Sequence, residues 1–171
     1  LVRTDANITI GGTGIIMGEG SVNKTRSGNL TVEGQHTYTG QTVLHDGTFT
    51  FNTLKNGGEM SAIGASQEFA QNWIWDGGTW NYTGGSTTTN RSAKIYRETA
   101  FNIANASAVV TMNGGLEGSD NFVLDGKGQL KVASTKFFEL FTGDVILRGG
   151  NMYLSTTDIK TKGTGSEKRL V

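Results

Sequence analysis

One five-residue sequence motif, called the word below, recurs along the chain and limits the folds that the chain can adopt. It is a glycine followed by polar, apolar, polar and apolar residues. The word stands at 28–32, 47–51, 78–82, 128–132 and 150–154. Period-two alternation after a glycine is typical of a turn that leads into a half-buried β-strand. A strand that buries only two or three side chains is not stable alone, so many such strands must stack against one another.

The words also recur in the same order. The stretch 28–51 maps onto 128–154, with an offset of 100 at its first word and 103 at its second. We therefore predict two copies of a repeat unit, near 20–53 and 120–155, and a partial third copy from 73 to 82. Repeats of this kind are typical of stacked supersecondary units.

Two all-β folds are compatible with many short strands. An antiparallel β-sandwich would use Asp-Gly and Asn-Gly pairs as hairpin turns, and this chain has several of them. A sandwich has no reason to repeat a strand–turn–strand word 100 residues later, whereas a parallel β-helix does. We predict a single-domain parallel β-helix over 1–155 and a polar C-terminal tail over 156–171, with a short helical turn or a loop across the coil at 60–72.

The first repeat copy resembles a known family. Its words Gly28-Asn-Leu-Thr-Val32, Tyr38-Thr-Gly40 and Gly47-Thr-Phe49 are similar to the autotransporter-associated β-strand repeat, although the second copy has Phe141-Thr-Gly143 in place of Tyr-Thr-Gly. The resemblance implies a right-handed β-helix of about seven coils from a large bacterial secreted or surface protein. It brings no catalytic residues.

Composition excludes several classes of function. The chain has no cysteine, which excludes disulfides, zinc fingers and thiol nucleophiles, and its net charge of zero argues against nucleic acid as a partner. Its apolar runs are too short for a membrane span. His36 and His45 have no third nitrogen or thiolate ligand nearby in sequence, so we expect surface histidines, no metal site and no cofactor.

Aromatic residues supply the one candidate for ligand binding. In the internal alignment, Trp80 and Tyr82 match Phe49 and Phe51, while Trp75 matches Leu44, so these side chains are expected to point inward. Trp73 matches a threonine, and its alternatives are a core position or an outer face where its ring could stack on a sugar. Trp73 is therefore the predicted glycan-stacking residue.

Charged residues are interpreted as solvated surface. The carboxylates are spread evenly, and Asp46 and Asp76 are expected on one edge of the stack as solvated corner residues, with a calcium site there as the weaker alternative. The same interpretation applies to a loose group of basic residues, namely Lys24, Arg26, Arg91, Lys94 and Arg97.

Together these features predict a non-enzymatic segment of a larger extracellular or outer-membrane-associated polypeptide, acting as a stalk, display or adhesion scaffold. The alternative is an accessory carbohydrate-binding domain of a secreted polysaccharide-degrading enzyme, with a glycan or cell-surface polysaccharide as partner. A catalytic β-helix is a third hypothesis, and it requires convergent carboxylates or a bound calcium in a groove.

Overall fold

The computed structural model describes residues 2–155. The predicted tail over 156–171 lies outside the described residues. The described chain consists of short strands and one turn of 3-10 helix, which agrees with the all-β prediction. None of its helices is long and apolar enough to cross a membrane.

Strands and connections alternate along the whole described chain. The strands are β1 (Val2–Arg3), β2 (Ile8–Ile10), β3 (Val22–Thr25), β4 (Asn29–Val32), β5 (Thr42–Leu44), β6 (Thr48–Phe51), β7 (Trp73–Asp76), β8 (Thr79–Tyr82), β9 (Thr87–Thr89), β10 (Ala93–Arg97), β11 (Thr99–Ile103), β12 (Val109–Met112), β13 (Leu116–Gly118), β14 (Phe122–Gly126), β15 (Gln129–Val132), β16 (Leu140–Phe141), β17 (Val145–Leu147) and β18 (Asn151–Leu154).

The strands form three sheets, each running along the stack. The first sheet contains β1, β3, β5, β7, β10, β13 and β16, and the second contains β2, β4, β6, β8, β11, β14 and β17. The third sheet contains β9, β12, β15 and β18. Every pairing between these strands is parallel. One pass through the sheets is a coil, so the chain is a parallel β-solenoid of about seven coils, and the antiparallel sandwich is excluded.

The third sheet begins only in the fourth coil, and the third coil carries an insertion. Leu30 stacks on Phe49 after 19 residues, whereas Phe49 stacks on Trp80 after 31. The additional residues form a loop over 52–69 and a 3-10 turn at Ala70–Asn72. The predicted interruption at 60–72 is therefore a loop that ends in a helical turn. The right hand of the winding stays a prediction.

Side chains of the same register position stack inside the solenoid in continuous rows. One row of seven apolar residues lies in the second sheet and consists of Ile8, Leu30, Phe49, Trp80, Phe101, Leu124 and Leu147. The five middle members are fully buried, and the two end members are 40% and 43% exposed. The apolar side chains of each coil therefore bury those of the next coil. This mutual burial stabilises the stack far more than any single strand could.

Aromatic rings fill the central coils. The Trp80 ring centroid lies 5.0 Å from that of Phe49, and Trp75 stacks on Phe101 at 5.5 Å with an interplanar angle of 22°. The inward positions predicted for Trp75, Trp80, Tyr82, Phe49 and Phe51 are confirmed, since all five side chains are buried.

The glycine of the repeated word is required at the corner between the first and second sheets. Gly47 and Gly78 have φ values of +74° and +72°, in the left-handed region that side-chain-bearing residues rarely adopt. A Cβ on Gly47 would lie 2.4 Å from the carbonyl oxygen of Gly28 in the coil below. The corners stack so closely that the backbone leaves no room for a side chain.

The two predicted repeat copies occupy different faces of the solenoid. Leu30 lies in β4 of the second sheet, whereas Leu130, its match at an offset of 100, lies in β15 of the third sheet. The match at an offset of 31, from Phe49 to Trp80, does place both residues in one stacked row. The word therefore encodes a strand after a corner, and it does not specify which face that strand joins.

Candidate functional surfaces

Trp73 lies in the core, which corrects its prediction as a glycan-stacking residue. Its side chain is 1% exposed, and its ring packs edge-on against Trp75 at 5.0 Å and Trp80 at 5.6 Å. It is at an inward position because it pairs in register with Thr42, which is itself buried inside the stack. The position was ambiguous in sequence because a small threonine precedes it in the row.

His36 is also buried, so the expectation of a surface histidine is wrong for this residue. Its Nδ1 accepts a hydrogen bond from the Ile16 backbone N–H at 3.1 Å, and its own backbone N–H donates to the Ser61 carbonyl at 3.0 Å. Burial lowers the pKa of His36 below its ordinary value. His36 therefore links two segments: its neutral imidazole holds the connection that follows β2, and its backbone N–H holds the inserted loop.

Lys24, expected on the solvated surface, lies in β3 and is fully buried, and its ammonium group reaches the corner that follows this strand. Its Nζ donates to the carbonyl oxygens of Thr25, Arg26 and Asp46 at 3.0, 2.5 and 3.2 Å. Burial lowers the pKa of this amine, and the nearby carboxylate of Asp46 opposes that shift. Lys24 therefore satisfies corner carbonyl groups that have turned away from the ladder, so its role is structural.

Arg91, expected on the same surface, holds the inserted loop in place. Its guanidinium donates at 3.0 Å each to the Lys55 carbonyl, the Ser66 hydroxyl and the Gly64 carbonyl. Burial lowers the pKa of Arg91 to about 10. The five N–H donors of an arginine suit this task, because the loop turns several backbone acceptors towards one buried point.

A charged cluster, made of His45, Asp76 and Arg97, lies on the outer face of the first sheet. His45 Nδ1 lies 2.8 Å from Asp76 Oδ2, and Arg97 Nε donates to Asp76 Oδ1 at 2.8 Å. Burial raises the pKa of Asp76, but the hydrogen bonds from Arg97 and His45 outweigh it and keep that pKa below its ordinary value. The carboxylate is therefore ionised and already partly neutralised at neutral pH.

Asp46 lies two residues after β5, and Asp76 is the last residue of the neighbouring strand β7, so both lie at the same corner, as expected, but they have different partners. Asp46 Oδ1 accepts the Gly47 backbone N–H at 2.7 Å, which is an ordinary turn contact. Within residues 2–155, no group of three or more His, Cys, Asp or Glu side chains is placed to hold a metal ion.

The outer face of the second sheet carries a ladder of short polar side chains that bond to one another. Thr50 Oγ1 donates to Asn29 Oδ1 at 2.9 Å, Asn81 Nδ2 donates to Thr50 Oγ1 at 3.1 Å, and Asn102 Nδ2 donates to Asn81 Oδ1 at 2.5 Å. These bonds join one coil to the next on the outside, as the apolar rows do on the inside. This face is satisfied internally and contributes stiffness.

The chain is similar in sequence to a short part of a bacterial adhesin. Over 117 residues the chain is 33% identical to the adhesin BmaC autotransporter of Brucella suis biovar 1 (strain 1330). The match covers 67% of this chain and 3% of the adhesin, so the chain spans a very small part of its relative's length. No protein-family model matches the chain, and no solved structure matches it. The chain is therefore a β-solenoid that is homologous to a short stretch of an autotransporter adhesin.

Proposed function

We propose that this chain is a non-catalytic β-solenoid segment of a large bacterial surface protein, in which it acts as a stiff scaffold that holds or displays adhesive surfaces. The observation that carries the proposal is the second sheet, which pairs each coil with the next in parallel from β2 to β17 without a register shift, and whose apolar row is buried in the middle and uncovered at both ends. Such a stack grows by adding coils, each of which extends it by about 4.8 Å.

Two further observations support a scaffold. The ladder from Asn29 to Asn102 and the buried apolar rows both join neighbouring coils, so bending the rod would break contacts inside and outside together. The relative is an adhesin by name, and the chain corresponds to a small piece of it. A segment of a much larger surface polypeptide is consistent with both observations, and so is a location at the cell surface or outer membrane.

Surface display tests the proposal. The chain would be placed between an N-terminal epitope tag and an outer-membrane anchoring domain in a non-adherent bacterial host. A scaffold predicts that the tag is reached by antibody on intact cells and that the chain between tag and anchor resists added protease. A matched variant with Phe49→Asp, which buries a charge in the stack, should lose the tag on protease treatment.

Two results would contradict the proposal. One is a wild-type chain that is cut between tag and anchor as readily as the Phe49→Asp variant. The other is release of new reducing ends from polysaccharides by the purified chain, because that result would identify a hydrolase.

A further inference from the structure

A groove of about 480 Å³ lies on the outer face of the first sheet, next to the His45–Asp76–Arg97 cluster. Its floor is Val43 and Ile74, two outward-facing side chains that neighbouring residues cover almost completely. Its volume lies within the range of small-molecule sites, about 300–1,000 Å³. The groove is unlike the ladder on the second sheet, since its polar groups surround an apolar floor.

A β-bulge directs Tyr96 towards this groove. In the pairing of β10 with β7, Ile95 is opposite Trp75 and Arg97 is opposite Asp76, so Tyr96 is an extra residue without a partner. Arg97 holds the bulge in place by donating to Asp76 and to the backbone carbonyl of His45. The Tyr96 side chain lines the groove and is 55% exposed. Bulges commonly re-aim one side chain in this manner beside functional sites.

The polar groups of the groove keep free hydrogen-bonding capacity. Asp76 accepts one bond on each carboxylate oxygen, which leaves further lone pairs on both. Asp76 engages Nδ1 of His45, and neither Nε2 of His45 nor the Asn23 amide has a hydrogen-bond partner among residues 2–155. The groove therefore offers carboxylate lone pairs, an imidazole nitrogen and one amide beside the half-exposed ring of Tyr96, and Lys94 Nζ lies 5.4 Å from the centroid of that ring.

We propose that this groove binds one neutral hexopyranose ring of a glycan, with the apolar face of the sugar on Tyr96 and its hydroxyl groups on Asp76, His45 and Asn23. A sugar ring has an apolar C–H face and a rim of hydroxyl groups, and the groove provides an aromatic ring and acceptors in the same way. A metal cation is disfavoured because Arg97 and His45 already engage the Asp76 carboxylate.

The inference goes beyond the proposed scaffold, because a stiff rod needs no sugar site. The test is a titration of the isotope-labelled chain, followed by ¹⁵N–¹H NMR, with the methyl glycosides of glucose, galactose, mannose, N-acetylglucosamine and N-acetylgalactosamine. At least one of these sugars should shift the amide signals of 41–45, 74–76 and 94–97, with a dissociation constant on the order of millimolar.

Substitutions locate the binding. Tyr96→Ala should weaken it at least about tenfold, since it removes the stacking surface, while Tyr96→Phe should retain it. Tyr153 is the matched control, because it is 54% exposed and lies in the third sheet, so Tyr153→Ala should bind as the wild type does.

Dispersed amide spectra report folding independently of binding. A folded wild-type chain whose signals stay unchanged with all five sugars overturns the inference and leaves the scaffold proposal intact. Shifts that persist unchanged in folded Tyr96→Ala overturn it as well, because the sugar would then bind elsewhere.

Discussion

Two leucines in one stacked row provide a test of how the solenoid is stabilised. Leu124 and Leu147 are neighbours in the second-sheet row. The two side chains are chemically identical, so they differ only in how far the neighbouring coils bury them. Leu124 is fully buried between two coils, whereas Leu147 is 43% exposed. Truncating a fully buried leucine to alanine costs about 2–5 kcal/mol, because burial is lost and a cavity remains.

For Leu147→Ala the expected cost is smaller. A little over half of the side chain is buried, and complete burial of a leucine is worth about 1.5–3 kcal/mol, so the lost burial amounts to about 1–1.5 kcal/mol. Water can enter the vacated space, so no closed cavity adds to that figure. The Leu124→Ala variant should therefore lose more free energy of unfolding than Leu147→Ala, by about two- to threefold at the middle of these ranges.

Urea unfolding, followed by tryptophan fluorescence and by far-ultraviolet circular dichroism, measures both variants. Agreement of the two signals is needed, because long repeat arrays can unfold in stages. Equal losses for the two leucines, or a larger loss for Leu147→Ala, would refute the assignment of this row to the inside of a stack.

Three further predictions concern the corner, the inserted loop and the buried histidine. Gly47→Ala should cost at least about 1–2 kcal/mol in urea unfolding, because alanine is strained at a positive φ and its Cβ meets the Gly28 carbonyl. Arg91→Ala should speed trypsin cleavage after Lys55, measured by mass spectrometry, because the loop loses the donors that hold it. The stability of the wild-type chain should fall as the pH drops below about 6.5. The reason is that burial lowers the pKa of His36 in the folded chain, so the unfolded chain binds the proton more tightly. Urea titrations at several pH values should show a smaller fall for His36→Asn.

Each of these has a matched control in the same chain. Gly85→Ala should change stability by no more than about 0.5 kcal/mol, because nothing lies near its Cβ position. Arg97→Ala, at an exposed arginine, should leave cleavage after Lys55 unchanged, and His45→Asn should keep most of the pH dependence. A control that behaves like its partner variant would contradict the role given to the partner.

The sequence predicts the fold class and much of the core because period-two alternation reports directly which side chains face inward. Alignment of Phe49 with Trp80 therefore places both residues correctly in the stacked row. The same motif does not specify which sheet a strand joins. For this reason Leu30 and Leu130 lie on different faces although the sequences around them match. Strand periodicity specifies inside and outside, while the face depends on corner geometry and on the lengths of the connections.

Polar residues at corners and loops were beyond the reach of local patterns. Lys24 and Arg91 are buried because carbonyl groups from distant segments converge on them, and no spacing in the sequence records that convergence. His36 is buried because the inserted loop covers it. The groove beside Tyr96 depends on a bulge, which appears only when two strands are paired.

The central claim is that consecutive strands belong to different sheets and pair with strands of the next coil. Inter-strand backbone nuclear Overhauser effects test it most directly, using Asn81 in β8, Asn102 in β11 and the turn at Asp46-Gly47. The account predicts contacts between Asn81 and Asn102, which are 21 residues apart in a parallel ladder, and none between β5 and β6. Strong Hα–Hα contacts between β5 and β6 across Asp46-Gly47 would contradict it, because they would mean that the two strands form an antiparallel hairpin.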